Sequence, residues 1–203
     1  MKKLLLILLL VIGSAVYAQE ESLLGEGEIT NGGFGAAVVK FTSINSQFGV
    51  LVGGRGGWII NHSIILGAGG YGLTNQINGT ISNGGRYLST ILGYGGFEME
   101  YIINSDNLVH TSVSLLIGGG AVSQRNNIYP VPLDWSALNI EPLSANNFFI
   151  AEPEVDIEVN IVKFFRIDFG ASYRIISGVN QNGLKNSDVA GVSVIMTLKF
   201  GKF

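Results

Sequence analysis

Three groups of residues in this sequence have the types and spacing that could support chemistry. The first is Gly67–Gly72, which matches the pattern G-x-G-x-x-G of dinucleotide-binding loops. That function requires the glycines to open a helix within a βαβ unit, and the surrounding sequence predicts neither. We therefore interpret these glycines as positions that leave space for neighbouring side chains and allow the strand to curve. We predict no cofactor.

The second group is His110 and Ser112, which lie two residues apart and so share one face of a predicted strand. A histidine beside a serine can act as its general base. This pair is predicted to face the interior of the protein beside a tight turn, so we interpret it as a hydrogen-bonded pair. We predict no catalytic residue.

The third group is a ladder of carboxylates at every second position, formed by Glu152, Glu154, Asp156 and Glu158. Alternate residues of a strand lie about 6.5–7 Å apart, which is wide for one metal ion. Arg166 and Arg174 on the next predicted strand offer partners instead. We predict ion pairs and no metal, and a cation site is the alternative.

The bulk composition limits the class of protein. A chain of 203 residues suits one domain, and 13% charged residues is about half the usual share. There is no cysteine, which excludes a disulfide framework, and the formal net charge is −3, which argues against a nucleic-acid partner.

The N-terminus has the pattern of a secretory signal peptide. Met1-Lys2-Lys3 is basic, Leu4–Ile12 is apolar, and Val16-Tyr17-Ala18 places small residues at the cleavage positions. We predict a signal peptide at residues 1–18, a flexible lead-in at 19–32 and one domain at 33–203. The apolar run is too short for a membrane-spanning helix of about 20 residues.

From residue 33 onward the sequence alternates strand and turn, with no amphipathic helix. We predict eight strands, at residues 33–42, 48–60, 63–74, 87–103, 108–120, 149–162, 166–177 and 189–201. The connections after the second, fourth and sixth strands are tight, and those after the third, fifth and seventh are long and polar. The connection after the first strand, Ser43–Gln47, is short and breaks this alternation. The pattern predicts an up-and-down sheet with short turns at one end and mostly long loops at the other.

Sorting each strand by parity separates an apolar face from a polar one. Every charged residue beyond the lead-in can be placed in a turn, in a loop, at a strand end or on the polar face. A charge facing lipid at mid-bilayer costs about 2–4 kcal/mol, so the apolar face meets the requirement for a lipid-facing surface. We predict that the polar faces line a narrow lumen and that its charges pair with one another, because buried charges require partners. The predicted network comprises Lys40, Arg55, Glu98, Glu100, Glu152, Glu154, Asp156, Glu158, Arg166, Asp168, Arg174 and Lys199.

Aromatic residues lie near the ends of the predicted strands, as they do at the two interfaces of membrane barrels. We assign Phe34 to this apolar face as well. We predict as interface aromatics Trp58, Tyr87, Tyr101, Phe149, Tyr173 and Phe200.

These features together resemble the small outer-membrane barrels of the outer-membrane-protein-A-like and opacity-protein kind. The resemblance covers residues 33–203 and includes a terminal phenylalanine, Phe203. It implies an all-β, eight-stranded antiparallel up-and-down transmembrane β-barrel in the outer membrane of a Gram-negative bacterium. Its implied partners are outer-membrane lipid and the barrel-assembly machinery, and we expect a monomer.

Three functions remain open from the sequence. We favour a non-enzymatic structural or surface-interaction barrel that acts through its external loops. The longest loop, Ala121–Asn147, offers Tyr129, Leu133 and Trp135 to an extracellular partner. A narrow porin-like channel for small solutes is the alternative, and a lipid-modifying enzyme is a weaker one.

Overall fold

The computed structural model describes residues 30–81, 87–126, 143–180 and 183–203. The predicted signal peptide at 1–18 lies outside these ranges, as do most of the lead-in and the loop residues Tyr129, Leu133 and Trp135. Within the described ranges, no helix has the length and hydropathy needed to cross a membrane.

Strands make up most of the described chain. Their bounds are β1 (Asn31–Ile44), β2 (Gln47–Ile60), β3 (Ile64–Leu73), β4 (Asn78–Ile81), β5 (Tyr87–Ile103), β6 (Val109–Asn126), β7 (Leu143–Val162), β8 (Phe165–Ser177) and β9 (Gly191–Lys202), with one helical turn, α1 (Asn186–Val189), before β9. Two of these elements, β4 and α1, lie within connections that the sequence predicted to be loops.

Eight long strands close into an antiparallel barrel. Each pairs with its neighbours in sequence, β3 pairs with β5, and β1 pairs with β9 to complete the ring. The short β4 pairs with β5 inside the connection between β3 and β5. The predicted all-β, eight-stranded up-and-down barrel is therefore confirmed.

The two ends of the barrel differ in their connections. Asn61 and His62 both have positive φ, 50° and 55°, which is the geometry of the tight type I′ hairpin turn. The turn at Asn45–Ser46 is equally short but lies at the opposite end, beside the long connections. The other short turns, at residues 104–108 and 163–164, lie at the same end as Asn61 and His62. The start of β1 and the end of β9 lie there too, because Asn31 is opposite Ile60 and Lys202 is opposite Gly33. We call this the short-turn end and the opposite one the long-loop end.

Alternate residues face inward and outward along every barrel strand. In β8, for example, Arg166, Asp168, Ser172 and Arg174 are buried, whereas Phe169 and Tyr173 are exposed on the outside. Large apolar side chains therefore cover the outer surface, as parity predicted. Phe34 is an exception to the prediction: it lies on the inner face, packed against Ile59 and Phe203.

Pro153 lies inside β7, where a proline is expected to cause a bulge or a late start of the strand, and it causes neither. β7 begins at Leu143, and its register with β8 is the same at Ala151↔Ile175 and at Glu154↔Ser172. Pro153 is exposed on the outer face. A proline lacks the N–H that a ladder needs, and here its only effect is a local break in the pairing with β8.

Candidate functional site: the ion-paired interior

Lys199 holds the centre of a buried charged cluster. Its Nζ lies 2.6 Å from Glu158 Oε2, 2.8 Å from Glu100 Oε1 and 3.1 Å from Asp168 Oδ2. Lys199 and its three carboxylate partners come from β9, β7, β5 and β8, so a single ammonium group links four strands of the barrel. Two charge-assisted hydrogen bonds, to Glu158 and Glu100, and an ion pair with Asp168 hold the ammonium group.

Arg55 of β2 joins the same cluster from a strand two positions away from β9 in the ring. Its Nη1 donates to Glu98 Oε1 at 2.7 Å and to Glu154 Oε1 at 3.0 Å, and its Nη2 donates to Asp168 Oδ2 at 3.1 Å. Asp156 Oδ2 lies 3.8 Å from Nη2. Asp168 therefore bridges the two central cations, Arg55 and Lys199.

A polar layer lies on the long-loop side of this centre. Lys40 Nζ lies 3.2 Å from Glu152 and 3.1 Å from Glu154, and 4.1 Å from the centroid of the Tyr71 ring. Glu152 also accepts hydrogen bonds from Tyr94 Oη at 2.9 Å and from Ser172 Oγ at 2.6 Å. The carboxylate of Glu152 is thus bound by three different strands.

On the short-turn side of the centre, Glu158 has two further nitrogen partners. Arg166 Nη1 and His110 Nε2 both contact Glu158 Oε1, the histidine at 2.7 Å. Arg166 also stacks on Phe203, with its guanidinium carbon 4.0 Å from the ring centroid. His110 and Ser112 both lie on the inner face and are buried, so the pair is directed away from the lipid-facing surface.

Arg174 is the one residue of the predicted network that makes no ion pair, and its predicted pairing with a carboxylate is wrong. Its guanidinium donates to Ser193 Oγ at 2.6 Å, Thr42 Oγ1 at 2.8 Å and the carbonyl of Val189 at 3.3 Å. The register places Arg174 beside Glu152, but that carboxylate is bound by Lys40, Tyr94 and Ser172 instead.

Glycines leave space for the charged groups. A Cβ at Gly69 would lie 3.1 Å from Glu98 Oε2 and 3.3 Å from Arg55 Cβ. A Cβ at Gly170 would collide with the carboxylate of Asp156. The G-x-G-x-x-G segment lies within strand β3, where Gly69 makes room for the Arg55–Glu98 ion pair.

Apolar side chains close the lumen on both sides of the charged layer. A large cluster lies toward the long-loop end, and it includes Leu51, Leu92, Ile150, Ile176 and Ile195. A smaller cluster of Ile59, Ile65 and Ile102, with Phe34 and Phe203, lies at the short-turn end. We call these two clusters the long-loop plug and the short-turn plug. Neither was predicted from the sequence, although the alternation of inward and outward residues contains the signal. Leu51 lies an even number of residues from Arg55, and Ile150 lies an even number of residues from Glu152. Each apolar residue therefore shares the inward face of its strand with a charged one.

The connection between β8 and β9 adds to the long-loop plug. We call residues 179–190 the mouth segment; 181 and 182 lie outside the described residues. Its Val179, Leu184 and Val189 are buried in the large apolar cluster. Asp188 O accepts a hydrogen bond from Asn45 N at 2.7 Å, which ties the segment to the β1–β2 turn.

The arrangement offers no evident metal chemistry. Among the described residues, no group of three or more His, Asp or Glu side chains has the geometry to hold a metal ion. Three of the four carboxylates of β7, Glu152, Glu154 and Glu158, contact lysine, arginine, histidine, serine or tyrosine donors, and Asp156 lies 3.8 Å from Arg55 Nη2. Such a cluster serves to neutralise and fill a narrow interior.

The outer surface carries the predicted aromatics. Trp58, Tyr101 and Phe200 are about half exposed near the short-turn end, and Phe149 and Tyr173 are similarly exposed nearer the long-loop end. Trp58 Nε1 donates to Asn31 Oδ1 at 2.9 Å, and the Phe200 ring stacks on Phe165. The side chain of Tyr87 lies outside the described part of the chain.

This closed ring, with an apolar outside and a charged inside, has the fold of the small eight-stranded outer-membrane barrels, as the sequence resemblance implied. Neisserial surface protein A is similar in structure, with a TM-score of 0.61 and 13% identity over 87% of this chain and 100% of that one. The N-terminal β-barrel domain of OprF from Pseudomonas aeruginosa gives a TM-score of 0.53 and 10% identity, covering 86% of this chain and 99% of that one. Ail, the attachment invasion locus protein of Yersinia pestis, gives 0.50 and 9%, covering 85% and 98%. No protein-family model matches the sequence, and the search of curated protein sequences gives no match.

Proposed function

We propose that this protein is a non-enzymatic barrel of a Gram-negative outer membrane, with a closed interior and a surface role carried by its long loops. The observation that supports this proposal is that the lumen is filled by a layer of buried ion pairs between two apolar layers. Lys199, Asp168 and Glu158 have no solvent-accessible side-chain surface, and apolar clusters lie above and below them. A solute would have to displace both the ion pairs and the apolar plugs to pass.

The outer face supports the membrane part of the proposal. Its exposed side chains are mostly large and apolar, and within the described strands the one lysine that points outward, Lys202, lies at a strand end. Aromatic side chains lie near both ends, as at the interfaces of membrane barrels. In water such a surface would aggregate, whereas in a bilayer it is solvated.

Conductance of the refolded barrel in a planar bilayer tests the closed interior. Insertion is verified in vesicles with a Trp135→Phe variant, in which Trp58 is the remaining tryptophan and brominated lipid quenches its fluorescence. We expect a folded, inserted and electrically silent protein. Steady, defined current steps from a preparation with quenched Trp58 would contradict the closed interior and establish the porin-like alternative.

Orientation and location are tested by labelling cysteines in intact cells, because the chain has no native cysteine. We expect Trp135→Cys, in the longest loop, to react with a membrane-impermeant maleimide. Ser105→Cys, in the turn between β5 and β6, is the matched control and should react only after the outer membrane is permeabilised. The reverse pattern would place the loops on the inner side and remove the proposed surface role.

A further inference from the structure

Arg174 of β8 is a fully buried cation that contacts no carboxylate among the described residues. Its three hydrogen bonds all go to neutral oxygens, those of Ser193, Thr42 and the carbonyl of Val189. A glutamate carboxylate contacts each of the other buried cations of the described strands, which are Lys40, Arg55, Arg166 and Lys199. Burying a charge is costly unless an opposite charge compensates it, so an anion beside Arg174 would be stabilising.

The guanidinium group of Arg174 has N–H donors left for an anion. Its bonds to Val189 O, Ser193 Oγ and Thr42 Oγ1 start from Nε, Nη1 and Nη2, at 3.3, 2.6 and 2.8 Å. A guanidinium has five N–H groups, so one N–H on each terminal nitrogen remains without an acceptor among the described residues. Two such donors match the two oxygens that a carboxylate or a phosphate presents.

The backbone opposite Arg174 leaves space beside the guanidinium. The register pairs Arg174 with Gly191 of β9. Among the described residues, and apart from its chain neighbours, a Cβ at Gly191 would have only Ser43 O within 4 Å, at 3.5 Å. The carboxylate nearest by register, Glu152, lies on β7, on the opposite side of β8. An anion on the β9 side would therefore be separated from Glu152 by the guanidinium itself.

Arg174 is covered by one short segment at the long-loop end. We call residues 184–190, which belong to the mouth segment, the cover. Leu184 and Val189 of the cover are buried in the long-loop plug, whereas residues 185–187 are exposed. Gly183 and Gly191 flank the cover with φ of 75° and 156°, conformations that suit glycine. Such flanking residues can absorb a backbone rotation, so the cover can move while the barrel strands stay paired.

We propose that Arg174 binds a small oxyanion, a carboxylate or a phosphate, which enters from the long-loop end when the cover moves aside. The anion replaces Val189 O at the guanidinium and accepts hydrogen bonds from Nη1 and Nη2. The Ser193 hydroxyl is a third donor to the anion, whereas the Thr42 hydroxyl already donates to Val192 O at 2.8 Å. The site lies at the mouth of the barrel, so the anion does not have to cross the lumen.

Anion titration of the refolded full chain in an uncharged maltoside detergent tests this site. Sodium acetate and sodium phosphate are added separately at constant pH and ionic strength, with sodium chloride as the balance, and amide NMR shifts are followed. We expect saturable shifts at Thr42, Gly191 and Ser193, and the anion that saturates at the lower concentration identifies the ligand class. Arg174→Gln should abolish these shifts.

Lys185→Gln is the matched control, because Lys185 is an exposed cation on the cover itself. Its affinity for either anion should equal that of the wild type. Shifts that persist in Arg174→Gln and disappear in Lys185→Gln would show an adventitious ion only, held at the surface, and would overturn the proposal.

Val189→Ala tests the same site with Arg174 intact, so it decides the matter even if Arg174→Gln does not refold. Because the closed cover then buries two methyl groups fewer, the cover opens more readily and the anion affinity should rise by about tenfold. Val162→Ala, on the outer face at the end of β7, should leave the affinity unchanged. Equal affinities for wild type and Val189→Ala, or saturable shifts in neither, would refute an anion site beneath the cover.

Discussion

At the scale of single residues, Lys199 is a fully buried cation that joins three carboxylates of the interior. We expect Lys199→Met to destabilise the barrel by about 3–5 kcal/mol, because Glu100, Glu158 and Asp168 would lose their common cation while remaining buried. The measurement is urea unfolding of the lipid- or micelle-refolded protein, followed by tryptophan fluorescence.

Lys202→Met is the matched control for that substitution, because Lys202 is exposed at the end of the same strand. Its effect should lie within about 0.5 kcal/mol. Equal midpoints for Lys199→Met and Lys202→Met would show that the buried ion pairs add nothing to stability.

Residue positions within the lumen were predictable, but individual partners were not. Parity alone places Lys40, Arg55 and Lys199 on the inner face, because a strand repeats every two residues. The partners of Arg174 depend on how far each side chain leans along the barrel and on where the mouth segment folds back. Neither quantity is encoded in the alternation pattern, so hydroxyl and carbonyl acceptors replaced the expected carboxylate.

At the scale of strands, the outer face of β7 should respond to charge according to depth. Val155 lies in the middle of the strand and Val162 at its end, and both are exposed on the outside. We expect Val155→Lys to cost about 2–4 kcal/mol and Val162→Lys about 0–1 kcal/mol in a bilayer. Unfolding of both variants in phospholipid vesicles measures the difference. Equal costs would argue against a lipid environment for this face.

The mouth segment gives a second prediction at this scale, which concerns the access of a water-soluble reagent to the long-loop plug. Ile195 is buried in the long-loop plug, so Ile195→Cys should resist a water-soluble maleimide in the folded barrel. Adding Val189→Asp should make it reactive, because a carboxylate will not remain in the apolar cluster. Ser177→Cys, exposed at the end of β8, is the control and should react in both backgrounds. Rapid labelling of Ile195→Cys alone would mean that the segment does not close the mouth.

The strands themselves were predictable to within a few residues where alternation is regular, as for β2, β5 and β8. The additional elements were not. β4 and α1 are each only four residues long, and their sequences carry no periodicity that distinguishes them from a polar loop. They are formed by contacts with the barrel, such as the bond from Asn45 to the carbonyl of Asp188.

At the scale of the whole molecule, the junction of β1 with β9 determines whether the sheet is closed. Ala37 is directly opposite Leu198, and both lie on the outer face. We expect Ala37→Cys with Leu198→Cys to form a disulfide in the folded protein, visible as a change in gel mobility that reductant reverses. Ala37→Cys with Thr197→Cys should not, because Thr197 faces the lumen. Crosslinking of the second pair instead would show a register shifted by one residue.

The same junction has a kinetic consequence. Because Thr42 of β1 is opposite Ser193 of β9, the ring cannot close until almost the entire chain has been delivered. Until then β1 presents an unpaired edge, which is a template for pairing with other chains. Closure over such a long sequence separation is slow. Aggregation and correct closure therefore compete during biogenesis, and any factor that shields the edge of β1 would raise the yield of folded protein without altering its final stability.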